Sequence, residues 1–215
     1  MKSTKHYIAQ GDPGVEKTLW HMRRLVKKSA EDPTVILWAQ GVVRSLPERD
    51  PDAASQAFLD WTRANIRYTE DPLEVELVKE PGVLLREWQS TGRGTADCDD
   101  QVTLIAAGLN AVGIETEFLV IAADPSSSDY SHVPLQYASP QRGWVTMDPI
   151  VRGTGLGWFP PRHSRIGKFS GDRLHSVWDV ENFCDGRYSL GSVYLLVGGV
   201  IAYYAWSRSK ARRRR

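Results

Sequence analysis

Polar and apolar positions along the chain follow two regimes. Up to about residue 112 the apolar residues recur at three- and four-residue spacing, the helix period; beyond it they come in short runs of strand formers. Three helices are predicted to open at Asp-Pro pairs, Asp12-Pro13, Asp32-Pro33 and Asp50-Pro51. Each pair is an N-cap followed by the residue best tolerated at the first helical position. Their buried stripes would be Val15, Leu19, Met22, Leu25 and Val26; Val35, Ile36, Ala39, Val42 and Val43; and Ala54, Ala57, Phe58 and Trp61. A fourth stripe, Val102, Ile105, Ala106, Leu109 and Val112, predicts a helix from about Cys98 to Val112, capped by Asp97 and stopped by Gly113.

Past that helix, Ile114 to Ala122 reads as a strand. SHVPLQYA from Ser131 and GWVTMDPI from Gly143 read as the two arms of a hairpin turning at Ser139-Pro140. If the chain folds about Pro140, residues opposite one another sum to 280. His132 then lies across from Asp148, with Cβ atoms about 5 Å apart. Gln136 and Trp144 would share that face, and Val133, Leu135, Val145 and Met147 would take the other. Pro134 lacks a ladder donor and marks a bulge position, and a one-residue slip would separate His132 from Asp148. The following stretch, rich in glycine, proline and aromatics, reads as loop. Its RGTGLGWFPPRHSR lacks the strand-and-helix setting of a phosphate-binding glycine fingerprint.

A chain of 215 residues, 41% of them hydrophobic, can bury a sizeable core in one or two domains. Its net charge of +1 conceals a polarity: RSKARRRR closes the chain with six cations, and without them residues 1–207 carry −5. Immediately before lies an uncharged run from Tyr188 to Ser207. As a helix it would extend about 30 Å, enough to cross a bilayer core, with Tyr203, Tyr204 and Trp206 at an interface. Two readings stay open for it, a membrane span or a helix buried in a larger assembly, with the basic tail on anionic lipid or nucleic acid. The N-terminus MKSTKHYIAQGDPG has no apolar signal core, so a membrane or virion association would have to arise without a signal peptide. Arg23, Arg24, Lys27 and Lys28 read as the solvated face of the first helix. No Cys/His cluster has zinc spacing, and neither metal nor cofactor is expected.

Cys98 carries the candidate chemistry. It stands where a loop bearing Gly92 and Gly94 meets a helix N-terminus, and the unpaired N–H groups and partial positive charge there stabilise a thiolate. Four residues before Val102, it falls on the buried face. A buried structural cysteine is the competing reading, because unpaired cysteines are among the most buried residues. Asp97, Asp99 and Asp100 suit a helix start but set negative charge near the sulfur. Cys184, the other cysteine, is expected to be reduced, since a disulfide would consume the nucleophile.

A helix-start Cys, a strand with His and a returning strand with Asp make up the order of the transglutaminase-like superfamily, which this chain resembles. The resemblance rests on TADCDDQVTLIAAGLNAVGIETEFLVI, SHVPLQYA and GWVTMDP, preceded by FLDWTRANIRYTEDP and EPGVLLREWQSTGRG, and covers roughly Pro51 to Pro149. Ala96 stands where many members carry glycine, and Pro134 where many carry an aromatic.

With the apolar pattern of the flanking segments, the resemblance gives an α+β fold: a papain/transglutaminase-like core with the nucleophile helix packed on an antiparallel sheet, N-terminal helices before it and a C-terminal apolar helix after it. The chain then divides into a helical extension (1–50), a transglutaminase-like catalytic core (51–151), a loop region (152–187), the membrane-spanning or assembly-buried apolar helix (188–207) and the basic tail (208–215). The resemblance implies Cys98 as nucleophile, His132 as general base and acid, and Asp148 orienting His132. Oxyanion donors would be the Cys98 N–H and a second group, with Trp88 and Gln89 as candidates. The activity implied is acyl transfer through a thioester on a protein or peptide substrate, as a protease or amidase rather than a cross-linking transglutaminase. The alternative is an idle copy of the fold that tethers a virion or membrane assembly, since compact domains of this type also occur in tailed bacteriophages.

Overall fold

The computed structural model describes residues 11–47, 50–71, 77–170 and 173–177. Among the described residues there are five helices: α1 (Asp12–Ser29), α2 (Pro33–Val43), α3 (Pro51–Asn65), α4 (Pro81–Thr91) and α5 (Cys98–Ala111). Capping explains where they start. Asp32 accepts from the Thr34 N–H at 2.7 Å and Asp50 from the Ala53 N–H at 3.0 Å, each with proline in the first turn. The first pair differs from expectation: α1 begins at Asp12 itself, and Gly11, at φ 74°, is its cap.

The four outer helices pack around α5, which is buried without interruption from Asp99 to Leu109. A helix apolar on all sides belongs in the interior. Gly108 makes the packing possible: a Cβ there would lie 2.6 Å from Phe58 Cε1 and from Trp38 Cζ3. Trp38, absent from the expected stripe of α2, meets Phe58 and Trp61 edge-on at 5.1 and 4.9 Å.

Two short strands, β1 (Ile66–Tyr68) and β2 (Gly94–Ala96), pair in parallel and lead the chain to Cys98. Five more form an antiparallel sheet: β3 (Thr116–Ala122), β4 (Leu135–Ser139), β5 (Gly143–Met147), β6 (Arg165–Ser170) and β7 (Arg173–Val177), in the order β5-β4-β3-β6-β7. β3 is central and buried on both faces. Phe118 and Val120 join the main core with α5, while Leu119 and Ile121 join Phe159 and Ile166 in a smaller one.

Two expectations are corrected here. The β4–β5 pairs run Leu135 to Met147 through Ser139 to Gly143, so opposite residues sum to 282 and the register is two residues from the one expected. The connection holds three residues, Pro140 to Arg142, and closes on Gly143 at φ 73°, the glycine-dependent three-residue hairpin. An even shift leaves every side chain on its expected face. The region 152–187, read as loop, contains β6 and β7, which complete the sheet. Their alternation is obscured by Lys168, which is buried because its Nζ lies 2.5 Å from Glu117 Oε2 on β3.

The segment 188–207, the tail 208–215 and Cys184 lie outside the described residues, so the C-terminal apolar helix finds no support in the structure. Among the described residues no helix is long and apolar enough to cross a membrane.

Candidate active site

The Cys98 end of α5 is built by a short chain of contacts. Asp97 caps the helix by accepting from the Asp100 N–H at 3.3 Å, and Asp99 Oδ1 takes the same N–H at 2.7 Å. The buried Asp100 carboxylate accepts from the Lys79 N–H at 2.5 Å, tying the approach to α4 onto the start of α5. Burial pushes the Asp100 carboxyl up to about 7; neighbouring Asp97 and Asp71 add to this, and the Lys79 N–H opposes it. Gln101 completes the frame by donating to the Ala96 carbonyl of β2. Carboxylate oxygens of Asp97, Asp99 and Asp100 come within 4.8 Å of one another, a spacing a cation can bridge, but their hydrogen bonds here are those of a helix cap.

His132 arrives from the other side. Pro134 cannot donate, so β4 begins only at Leu135, and His132 is held instead against β3: its N–H and carbonyl pair with Ile121 at 3.2 and 2.9 Å. Its Nε2 lies 2.6 Å from Asp148 Oδ2, with side-chain exposures of 15% and 1%. In the observed register Asp148, just past the end of β5, falls opposite Pro134, and His132 is its diagonal neighbour on the same face. The other oxygen, Oδ1, accepts from the Ile150 N–H at 2.9 Å and the Val151 N–H at 3.4 Å.

Cys98 and His132 line one cleft of about 410 Å³, between the N-terminal turns of α1, the end of β1 and the 130–133 segment. The structure therefore brings the three expected triad members to one place: Cys98 and His132 on the cleft, Asp148 buried behind the imidazole. It does not bring Trp88 or Gln89 there. Both lie on α4; Gln89 is exposed, and the Trp88 indole N–H donates to Asn65 Oδ1 at 3.0 Å. Sequence proximity to Cys98 misleads because the turn at Gly92 and strand β2 carry the chain away from α4 before α5 begins.

The structure adds an acidic wall that the sequence reading did not identify. Glu70 and Asp71 follow β1 and line the cleft together with Asp97 and Asp99, and no lysine or arginine is among the described lining residues. Burial raises the Asp71 carboxyl above its ordinary range. The Tyr68 phenol at the cleft mouth is raised first by burial, then by negative charge at Cys98, Glu70, Asp97 and Asp99.

A helix-start cysteine and a His132–Asp148 pair carried by an antiparallel sheet thus meet at one cleft. The chain belongs to the transglutaminase-like superfamily, whose core profile matches residues 38–149. Among solved structures it is similar to a candidate protease of Parabacteroides distasonis ATCC 8503, at 13% identity and a TM-score of 0.51, over 82% of this chain and 35% of that one. It is also similar to EGTA-treated LapG of Legionella pneumophila, at 15% identity and a TM-score of 0.50, over 74% of this chain and 86% of that one. The chain thus spans about a third of the Parabacteroides protein and most of LapG. At these identities the likeness is one of fold. No curated protein sequence matches the chain.

Proposed function

We propose that the protein is a cysteine peptidase or amidase acting by acyl transfer. One observation carries the reading: the 2.6 Å contact of His132 Nε2 with Asp148 Oδ2, behind a cleft that Cys98 also lines. A carboxylate accepting from Nε2–H leaves the imidazole lone pair on Nδ1, the nitrogen available to the thiol. Nδ1 takes the Cys98 proton as Sγ attacks a peptide or carboxamide carbonyl carbon. The oxyanion that forms accepts from the Cys98 backbone N–H, in the first turn of α5 where the helix dipole favours negative charge. The C–N bond breaks, the departing amine takes the proton from His132, and a thioester remains on Sγ. Water, deprotonated by the same imidazole, attacks the thioester; the C–S bond breaks and the thiol and acid are restored. A lysine amine in place of water would produce a cross-link, but the similarity to a candidate protease favours hydrolysis.

One observation favours the alternative of an idle scaffold. Glu70, Asp71, Asp97 and Asp99 line the cleft with Cys98, and their negative charge opposes a thiolate. Labelling with iodoacetamide separates the two readings. A peptidase shows pH-dependent alkylation of Cys98 in preference to Cys184, lost in His132→Ala, and mass spectrometry traps an acyl group on Cys98. Equal, sluggish labelling of both cysteines supports the scaffold.

A further inference from the structure

Arg63 stands in the last turn of α3, half-buried, and spends its guanidinium entirely on one turn of chain. Nη2 donates to the carbonyls of Asp148 and Val151, both at 2.7 Å, and to Thr154 Oγ1 at 2.9 Å. Nη1 donates to the Thr154 carbonyl at 2.7 Å and Nε to that of Pro149 at 3.3 Å. The turn is cross-braced, since Thr154 Oγ1 donates to the Val151 carbonyl at 2.7 Å and Arg152 reaches back to the Arg63 carbonyl at 3.3 Å. Burial lowers the Arg63 pKa, and Asp148 and Asp60 oppose the fall. A cation held this way against neutral carbonyls on so short a stretch fixes its shape. The five N–H donors of the planar fork reach four carbonyls and a hydroxyl spread along the turn, more partners than the three donors of an ammonium can serve.

The turn that Arg63 folds is the one that orients Asp148. Its Ile150 and Val151 N–H groups hold Oδ1, and this leaves Oδ2 directed at His132. We infer that Arg63 is a positioning residue for the Cys98–His132–Asp148 site: by gathering the carbonyls of residues 148–154 it presents the turn's N–H groups to one carboxylate oxygen and delivers the other to the imidazole. The inference rests on the peptidase reading for its kinetic consequences and on geometry alone for its structural ones.

The test pairs turnover with a readout that needs no substrate. In R63K the charge stays and the fork is lost. Turnover of a fluorogenic peptide should fall about 10- to 100-fold in kcat, with KM changed less than about threefold, as expected for misplacement of a catalytic group. The pH dependence of Cys98 alkylation should move toward that of D148N, and adding R63K to D148N should cost little more. Independently of activity, the His132 ring nitrogen shifts in a ¹⁵N-histidine spectrum should move in R63K toward their D148N values. Wild-type kcat, pH profile and His132 shifts in folded R63K would overturn the inference, as would a loss fully additive with D148N. If R63K does not fold, T154V removes only the Oγ1 brace and should move the same readouts less far in the same direction; an unmoved His132 spectrum there would overturn it. A wild-type protein with no turnover and no His132-dependent alkylation would instead refute the peptidase reading, and the His132 spectra would still decide the role of Arg63.

Discussion

Asp148 divides its two oxygens between the turn that follows it and the imidazole before it, so a change of one atom has a defined consequence. In Asp148→Asn the Oδ1 contacts with Ile150 and Val151 can persist. The amide nitrogen would then donate to His132 Nε2, forcing the ring proton onto Nδ1 and removing the lone pair that takes the thiol proton. A fall in kcat of about 10²- to 10⁴-fold is expected, with the fold intact. Steady-state kinetics beside a circular dichroism melt check this, and an activity within twofold of wild type would exclude the proposed role. Asp100 supports a second expectation. Its folded pKa of about 7 lies above the ordinary carboxyl value of 3.8, so between about pH 4 and pH 7 the native state holds a proton that the unfolded chain has released. This group's contribution therefore lowers stability as pH rises through that window and is constant above it, by about 4 kcal/mol at most. Asp100→Asn keeps an acceptor for the Lys79 N–H and removes the titration. Urea unfolding at pH 5 and pH 8 should show the variant gaining on wild type at the higher pH; parallel pH curves would refute the assignment.

At the scale of elements, α5 is the part whose placement tolerates least change. Gly108→Ala improves intrinsic helix propensity by about 1 kcal/mol, yet the new Cβ would sit 2.6 Å from two aromatic rings buried on both sides. Neither ring is the far end of a flexible chain, so overpacking wins, and a net loss of about 2 kcal/mol in a urea titration is expected. A stabilised variant would mean that Phe58 or Trp38 can move. How much of the architecture was legible follows from the same distinction between local and distant causes. Helix starts were readable because an N-cap and its proline are adjacent in sequence, as at Asp32 and Asp50. Both faces of the β4–β5 hairpin were readable from its alternation, but its register was not, since it depended on the conformation of Gly143. The β6–β7 hairpin was not readable from its apolar pattern. Lys168 breaks the pattern of β6, and its burial depends on Glu117, 51 residues earlier in the chain but on the neighbouring strand β3. Arg63 was illegible in principle, because its partners are main-chain carbonyls that no side-chain pattern encodes.

At the scale of the whole molecule, charge is unevenly distributed. The cations of the tail account for the positive sign of the chain, and residues 1–207 carry −5. Within that negative body Glu70 is exposed, Asp71 and Asp97 are half-buried and Asp99 is buried, all along the cleft that holds Cys98 and His132. A concave site lined by one sign of charge between low-dielectric walls focuses its field and concentrates ligands of the opposite sign. The same charges that oppose a thiolate in the empty cleft would be offset by a cationic peptide, so on the peptidase reading such a substrate would favour binding and thiolate formation together. A peptide reporter carrying lysine or arginine beside the scissile bond should therefore show a KM about tenfold below its glutamate counterpart at low ionic strength. The gap should narrow as salt shortens the screening length to about 10 Å near 0.1 M. Glu70→Gln removes the most solvent-exposed of the four charges without touching Cys98, His132 or Asp148, and should reduce the preference about two- to threefold. A preference insensitive to both salt and Glu70→Gln would assign substrate selection to shape rather than to the field of the cleft.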